Sequence, residues 1–299
     1  MRRALTLRRR GDRVVPGERG RSVPGWAGAG PALASSVVLA SRFTPSRARG
    51  DLDGSVSGRW LRIPGVRLPF MPPPAPSKSN REAAMLKVYL DPCTVNCRKV
   101  LAGLDLMGAP FERVHVDYFT EGHKKPEFLA INPNGALPAA TDGDLALPES
   151  NAILQYAADL NGASQHYPKD LKRRADVNRW MLWEAATWFP SCYVYLVEYV
   201  VKPLLAAQPD ESIIEKEAPN WHRLAGILDA RLATSAWLSG DGVTIADIAV
   251  AAPMHLHALQ RLPLGEHPNL KRWMTEGIEQ LPSWQRTQDA VMNALGPKQ

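Results

Sequence analysis

Asn132-Pro133-Asn134-Gly135-Ala136-Leu137-Pro138, followed eleven residues on by Glu149-Ser150-Asn151-Ala152-Ile153, is the stretch whose reading decides the fold. The first segment ends a loop and enters a short apolar strand through a proline. The second places an acidic and a hydroxyl residue at the start of a helix. Between them lies Asp142-Gly143, a dipeptide favoured in two-residue hairpin turns. These signals predict a β-hairpin entered by a proline turn and left through a helix N-terminus. Free N–H groups at a helix N-terminus attract carboxylates. An apolar edge strand with unpaired backbone can pair with an extended peptide. A site with both features suits a small, acidic, peptide-like ligand.

Upstream of this stretch, Leu86 to Leu90 reads as a strand ended by Asp91-Pro92. Asn96 to Met107 reads as a helix, with Val100, Leu101, Leu104 and Met107 on one face and Gly108 at its stop. Glu112 to Val116 alternates as a second strand, so the three elements form a right-handed βαβ unit. Lys125 to Ile131 predicts a short helix, and a further helix runs from Ser150 to Asn161. The order is βαβαββα.

Downstream no strand pattern appears. Leu171 to Leu205 predicts a long helical region rich in Trp and Tyr, interrupted near Pro190 and stopped by Pro203. Trp221 to Ala233 reads as another helix. Thr244 to Leu259 opens with Thr244 and Asp247 in capping-box spacing. Pro268 to Gly277 and Pro282 to Ala294 read as short terminal helices.

Charge divides the chain at Met85. Residues 1–84 carry 16 Lys or Arg against 5 Asp or Glu, whereas the whole chain is only +6, so residues 85–299 are mildly acidic. The basicity belongs to the leading segment, which removes the usual argument for a nucleic-acid partner. That segment, rich in Arg, Gly, Pro and Ser, has no sustained apolar period and is expected to be a disordered extension. It also fits a region upstream of a start at Met85, a transit peptide, or a secretory signal built on the apolar run Ala32 to Ala40. No stretch approaches the roughly 20 apolar residues of a membrane helix, so no membrane partner is expected. Three cysteines, Cys93, Cys97 and Cys192, make no disulfide framework and point to a reducing cytoplasm. His255 and His257 stand two apart on a predicted helix, on different sides, so no metal site is expected there.

The element order and its motifs resemble the cytosolic glutathione transferases over nearly all of residues 85–299. The segment 132–138 resembles the one before that family's cis-proline, with Leu137 and Pro138 presenting backbone to glutathione. Glu149 and Ser150 resemble the pair that holds the γ-glutamyl group. His123-Lys124-Lys125-Pro126-Glu127-Phe128-Leu129 resembles the segment that holds the glycyl carboxylate in plant-type members. Thr244-Ile245-Ala246-Asp247 resembles the capping box of the family's helical core. The resemblance implies a thioredoxin-like α/β domain over 85–163 and an all-α, substrate-binding domain over 171–295. It also implies a homodimer, with glutathione as co-substrate and no metal. Ala136 departs from the pattern, because many relatives carry a polar residue there. The catalytic tyrosine or serine of the best-known classes is also absent; the chain reads Asp91-Pro92-Cys93-Thr94-Val95-Asn96-Cys97-Arg98 instead.

A free thiol has a pKa of about 8.5, and lowering it by two units takes about 2.7 kcal/mol of selective thiolate stabilisation. A helix N-terminus and a few hydrogen bonds can supply that. In the resemblance, Thr94 takes the place of the theta- and phi-type serine. Thr94 with Asn96 resembles the Nu-type bacterial arrangement, and Cys93 the cysteine of the beta-type bacterial enzymes. A bacterial-type member is therefore expected. The plainer readings are a helix cap for Thr94, a turn residue for Asn96 and an unreactive thiol for Cys93. Cys97 is expected to be buried. Among the aromatic residues of the long helix, Trp188, Tyr193 and Tyr195 are the candidates for a pocket that takes a small apolar electrophile. The leading expectation is an enzyme that activates the glutathione thiolate against such an electrophile. The alternatives are a glutathione-dependent disulfide reductase or peroxidase, and a non-catalytic binding module.

Overall fold

The computed structural model describes residues 85–294; the expected disordered extension over residues 1–84, with its alternatives of an upstream region, a transit peptide or a secretory signal, lies outside the described residues. Strand β1 (Lys87–Leu90) leads through Asp91 to Thr94 into helix α1 (Val95–Met107). Gly108 ends α1 at φ +61°, the left-handed conformation that only glycine adopts without strain. Then follow β2 (Glu112–His115), a short 3-10 turn at Gly122–Lys124, α2 (Pro126–Leu129), β3 (Ala139–Asp142), β4 (Leu145–Pro148) and α3 (Ser150–Leu160). The sheet order is β2-β1-β3-β4, with β2 parallel to β1 and both β3 and β4 added antiparallel. This is the expected thioredoxin-like arrangement.

The register decides where the ligand loops go. Leu90 at the end of β1 pairs with His115 at the end of β2, while Tyr89 pairs with Ala139 at the start of β3. Ala139 in turn pairs with Pro148 at the end of β4. The loops 91–94, 116–125, 132–138 and residues 149–150 therefore all emerge at one end of the sheet. The hairpin turn itself differs from expectation. Asp142 pairs with Leu145, so the two-residue loop is Gly143-Asp144 rather than Asp142-Gly143, with Gly143 at φ +58°.

Tyr89 meets Phe128 of α2 edge-on at 6.3 Å, so alternation turns the fully buried Val88 and Leu90 to the opposite face of the sheet. There α1 packs on α3 so closely that a Cβ on Gly103 would collide with the Leu154 side chain.

The remaining chain is helical. α4 (Leu171–Trp183) runs into a wide π-turn at Glu184–Trp188, α5 (Phe189–Leu196), a second π-turn at Val197–Val201 and α6 (Lys202–Leu204). The helix is not interrupted at Pro190, and it ends at Leu204, one residue past the expected stop at Pro203. Each proline follows a π-turn, whose i→i+5 bonding accommodates a residue without an N–H; Phe189 N–H, for example, bonds to Glu184 O. α7 (Glu211–Leu232) starts ten residues earlier than its apolar period suggested and carries Pro219 inside it. Its first turn is capped by Asp210, which accepts the Ser212 N–H at 3.0 Å.

α8 (Ile245–Ala251) is the shortened form of the helix expected over 244–259, which passes into a 3-10 turn at Ala252–Met254. Its capping box is formed: Asp247 Oδ2 accepts the Thr244 N–H and hydroxyl, both at 2.9 Å. Asp247 Oδ1 reaches on to the Leu238 N–H at 2.8 Å and Trp273 Nε1 at 3.3 Å. α9 (Pro268–Arg272) and α10 (Pro282–Ala294) complete the order. Among the described residues no helix is long and apolar enough to cross a membrane, and no cluster of three or more His, Cys, Asp or Glu could hold a metal ion.

Candidate functional site

Thr94 is the N-cap of α1. Its Oγ1 accepts the Cys97 N–H at 3.3 Å and donates to Asp91 O at 3.4 Å. The capping bond uses one lone pair and leaves the proton in a long contact, free to turn to a better acceptor. The plain reading as a cap and the catalytic reading are thus compatible in one hydroxyl.

Cys93 is half-buried beside Asp91, whose Oδ1 accepts the Cys93 N–H at 3.1 Å. Burial first, then the Asp91 charge, push the Cys93 thiol far above the ordinary thiol range. Cys97 is buried, and burial pushes its thiol up to about 12. Neither cysteine has the electropositive setting of a reactive thiolate.

α3 starts at Ser150, where the sequence places its first turn. Glu149 occupies the cap position at φ +74°, a strained conformation for a residue with a side chain, and Ser150 is the first helical residue. Its hydroxyl contacts Lys99 Nζ at 3.2 Å and Asn96 Oδ1 at 3.4 Å. Asn96 turns its oxygen to Ser150, and its Nδ2 has no hydrogen-bond partner among the described residues. Ile153 is the first residue of α3 whose N–H bonds to Glu149 O, so the N–H groups of residues 150–152 remain available.

The Leu137-Pro138 bond is cis, and Leu137 makes no backbone hydrogen bond among the described residues. The loop that presents it is braced by Asn132, a residue the sequence reading left without a role. Asn132 Nδ2 donates to Ala136 O at 2.7 Å, and its Oδ1 accepts the Asn134 N–H at 3.1 Å. Across this loop Lys124 Nζ donates to Gly135 O at 2.8 Å. His123 is buried, its ring stacked on Tyr118 at 4.8 Å, and its Nδ1 has no partner among the described residues. Burial, then Lys124, lower its pKa, which favours the neutral imidazole.

The aromatic candidates separate. Trp188 is fully buried in the main core and donates from Nε1 to Val250 O at 3.0 Å. Tyr195 is buried against Trp221, with centroids 6.0 Å apart. Both are core residues, on the helix face that packs against Trp221 of α7. Tyr193 lies elsewhere, stacked on Phe189 at 5.4 Å in a second apolar cluster. That cluster includes Val95, next to Thr94, and Val291 of α10. Phe189 belongs to the same aromatic-rich stretch, but residue type alone did not separate it from the core aromatics.

Residues 86–159 match the glutathione S-transferase N-terminal domain and residues 193–280 its C-terminal domain. The chain is 34% identical over 213 residues to glutathione S-transferase 3 of Zea mays, covering 70% of this chain and 95% of that protein. The chain belongs to the glutathione S-transferase family. This transferase is also 33% identical to a probable glutathione S-transferase of Oryza sativa subsp. japonica, over 64% of this chain and 91% of that one. Its fold superposes with a TM-score of 0.64, at 27% identity, on glutathione S-transferase I from maize in complex with an atrazine glutathione conjugate, over 70% and 99% of the two chains. These relatives are plant proteins of the phi class, so the expected bacterial type is not supported.

Proposed function

We propose that this glutathione transferase binds glutathione at the end of the sheet where its four loops meet, and lowers the pKa of the bound thiol with the Thr94 hydroxyl. Asn96 Nδ2 and the N-terminus of α1 assist. The observation that carries this reading is the Thr94 hydroxyl itself, which caps the helix through a lone pair while its proton is only weakly engaged. In this reading Leu137 pairs with the cysteinyl backbone beside Pro138. Glu149, Ser150 and the free N–H groups of α3 take the γ-glutamyl end, and His123 and Lys124 take the glycyl carboxylate. The electrophile rests on Phe189 and Tyr193, and its chemistry is an apolar aromatic group with a displaceable substituent. The glutathione conjugate held by the maize relative supports that class of substrate.

The raised thiol of Cys93 argues against a disulfide reductase centred on it. We further propose a homodimer in the cytosol. All three cysteines are free, and Leu160, Leu171 and Leu182 are more than half exposed on α3 and α4. Calorimetric glutathione binding, with turnover measured on a model aryl halide and on a glutathionylated disulfide, tests the activity. Conjugation should dominate; absence of glutathione binding would overturn the reading.

A further inference from the structure

Beneath Ser150 lies a buried ion pair that the mechanism above does not use. Lys99 on α1 is 2% exposed and Glu184, the first residue of the π-turn after α4, is fully buried. Lys99 Nζ donates to Glu184 Oε2 at 2.9 Å, to Glu184 Oε1 at 3.0 Å, to Ser150 Oγ at 3.2 Å and to Asn151 Oδ1 at 3.3 Å. Asn151 Nδ2 closes the network on Glu184 Oε2 at 3.0 Å and on Met181 O at 2.9 Å. Three elements from both halves of the protein thus converge under the first residue of α3.

An ammonium has donors and no acceptor. It therefore fills a lone pair of the Ser150 hydroxyl and cannot receive its proton. That proton has only the Asn96 Oδ1 contact at 3.4 Å, longer than a well-formed O–H···O bond. The hydroxyl is held as a donor with a poor acceptor, the state a carboxylate ligand would exploit. The charge of Lys99 is matched by Glu184, so the pair adds little net field at the site. A buried pair is also no more stabilising than apolar side chains of the same shape. What remains is orientation.

We infer that Lys99, anchored by Glu184, is a positioning residue that fixes Ser150 as a hydrogen-bond donor to the γ-glutamyl carboxylate of glutathione. The inference rests on the glutathione reading of Ser150. Lys99 touches no substrate and acts through the hydroxyl and through the adjacent Asn151, which it ties to the end of α4.

The test replaces both partners at once, so that no unpaired charge is left buried. Lys99→Met/Glu184→Gln should fold with a melting temperature close to the parent's. Its KM for glutathione should rise about tenfold, the weight of one hydrogen bond to a charged group. kcat at saturating glutathione and KM for a model aryl halide should hardly change. If that pair does not fold, the apolar pair Lys99→Met/Glu184→Leu serves the same comparison. In a Ser150→Ala background the loss should vanish, because the hydroxyl that Lys99 orients is gone. A folded pair variant with the parent's KM for glutathione overturns the inference, as does a loss that stays fully additive with Ser150→Ala. Ser150→Ala without effect on glutathione affinity would instead overturn the γ-glutamyl contact itself, and this inference with it.

Discussion

Asp91 stands directly against Cys93, its Oδ1 accepting the Cys93 backbone N–H at 3.1 Å. Its Oδ2 accepts the Tyr118 N–H at 2.9 Å, which pins the carboxylate in place. A thiolate at Cys93 would be formed in a half-buried position beside a fixed negative charge. The thiol is therefore kept protonated at pH 7, chiefly by burial and then by Asp91. Alkylation of Cys93 by iodoacetamide should be slower than that of a free thiol at pH 8. Asp91→Asn removes the charge and lowers the thiol pKa, so alkylation at the same pH should accelerate. Cys93→Ala should leave the pKa of bound glutathione nearly unchanged. Loss of both the low pKa and turnover in Cys93→Ala would reassign the catalytic role to the cysteine.

Thr94 has two duties, and substitutions should separate them. Thr94→Ala removes the cap and the proton donor, so it should cost about 1 kcal/mol of stability and raise the thiol pKa of bound glutathione. Thr94→Ser keeps both the capping oxygen and the proton and should keep both properties. Thiolate absorbance of the glutathione complex against pH, read beside urea unfolding, checks the pair.

Trp188 and Tyr193 should respond oppositely. Trp188→Ala opens a cavity in the main core and should destabilise the fold by about 3–5 kcal/mol. Tyr193→Ala should leave most of the stability and instead raise KM for an aryl halide, with KM for glutathione unaffected. Steady-state kinetics with each substrate varied in turn, plus thermal melts, distinguishes a core residue from a pocket residue.

His255 should give the fold an acid limit. It is buried beside Arg98, whose Nη1 donates to the His255 carbonyl at 3.1 Å. Burial, then the Arg98 charge, lower its pKa from 6.5 to about 3. Above pH 6.5 the ring is neutral in both folded and unfolded chains and contributes no pH dependence. Below 6.5 the unfolded chain takes up a proton that the folded chain refuses. Stability should then fall by about 1.4 kcal/mol per pH unit from this group until its folded pKa is reached. His255→Gln should flatten that part of the profile, as read by urea unfolding between pH 7 and pH 4.

The local signals were legible because they depend on neighbours in sequence. Gly108 ends α1 because a left-handed residue is needed there, and Thr244 with Asp247 forms its box within one turn. The same locality explains the misreadings. Pro190 breaks an ideal α-helix, but a π-turn beside it removes the conflict, and no residue pattern announces that turn. Ser150 opens α3 as its sequence suggested, yet the cap position falls to Glu149, whose positive φ no residue pattern announces.

By itself, then, the sequence determined the element order, the two halves and the identity of the loops that carry Thr94, Leu137, Ser150 and His123, since strand alternation, helix period and turn chemistry act over a few residues. Only the tertiary structure decided that the β1–β3 and β1–β2 registers bring those loops to one end of the sheet. It alone also placed Trp188 in the core and Tyr193 beside Val95. The partnership of Lys99 with Glu184, 85 positions apart, belongs to the same class. Such contacts depend on how whole elements pack, and a lysine within an apolar helix carries no mark of the carboxylate it will meet.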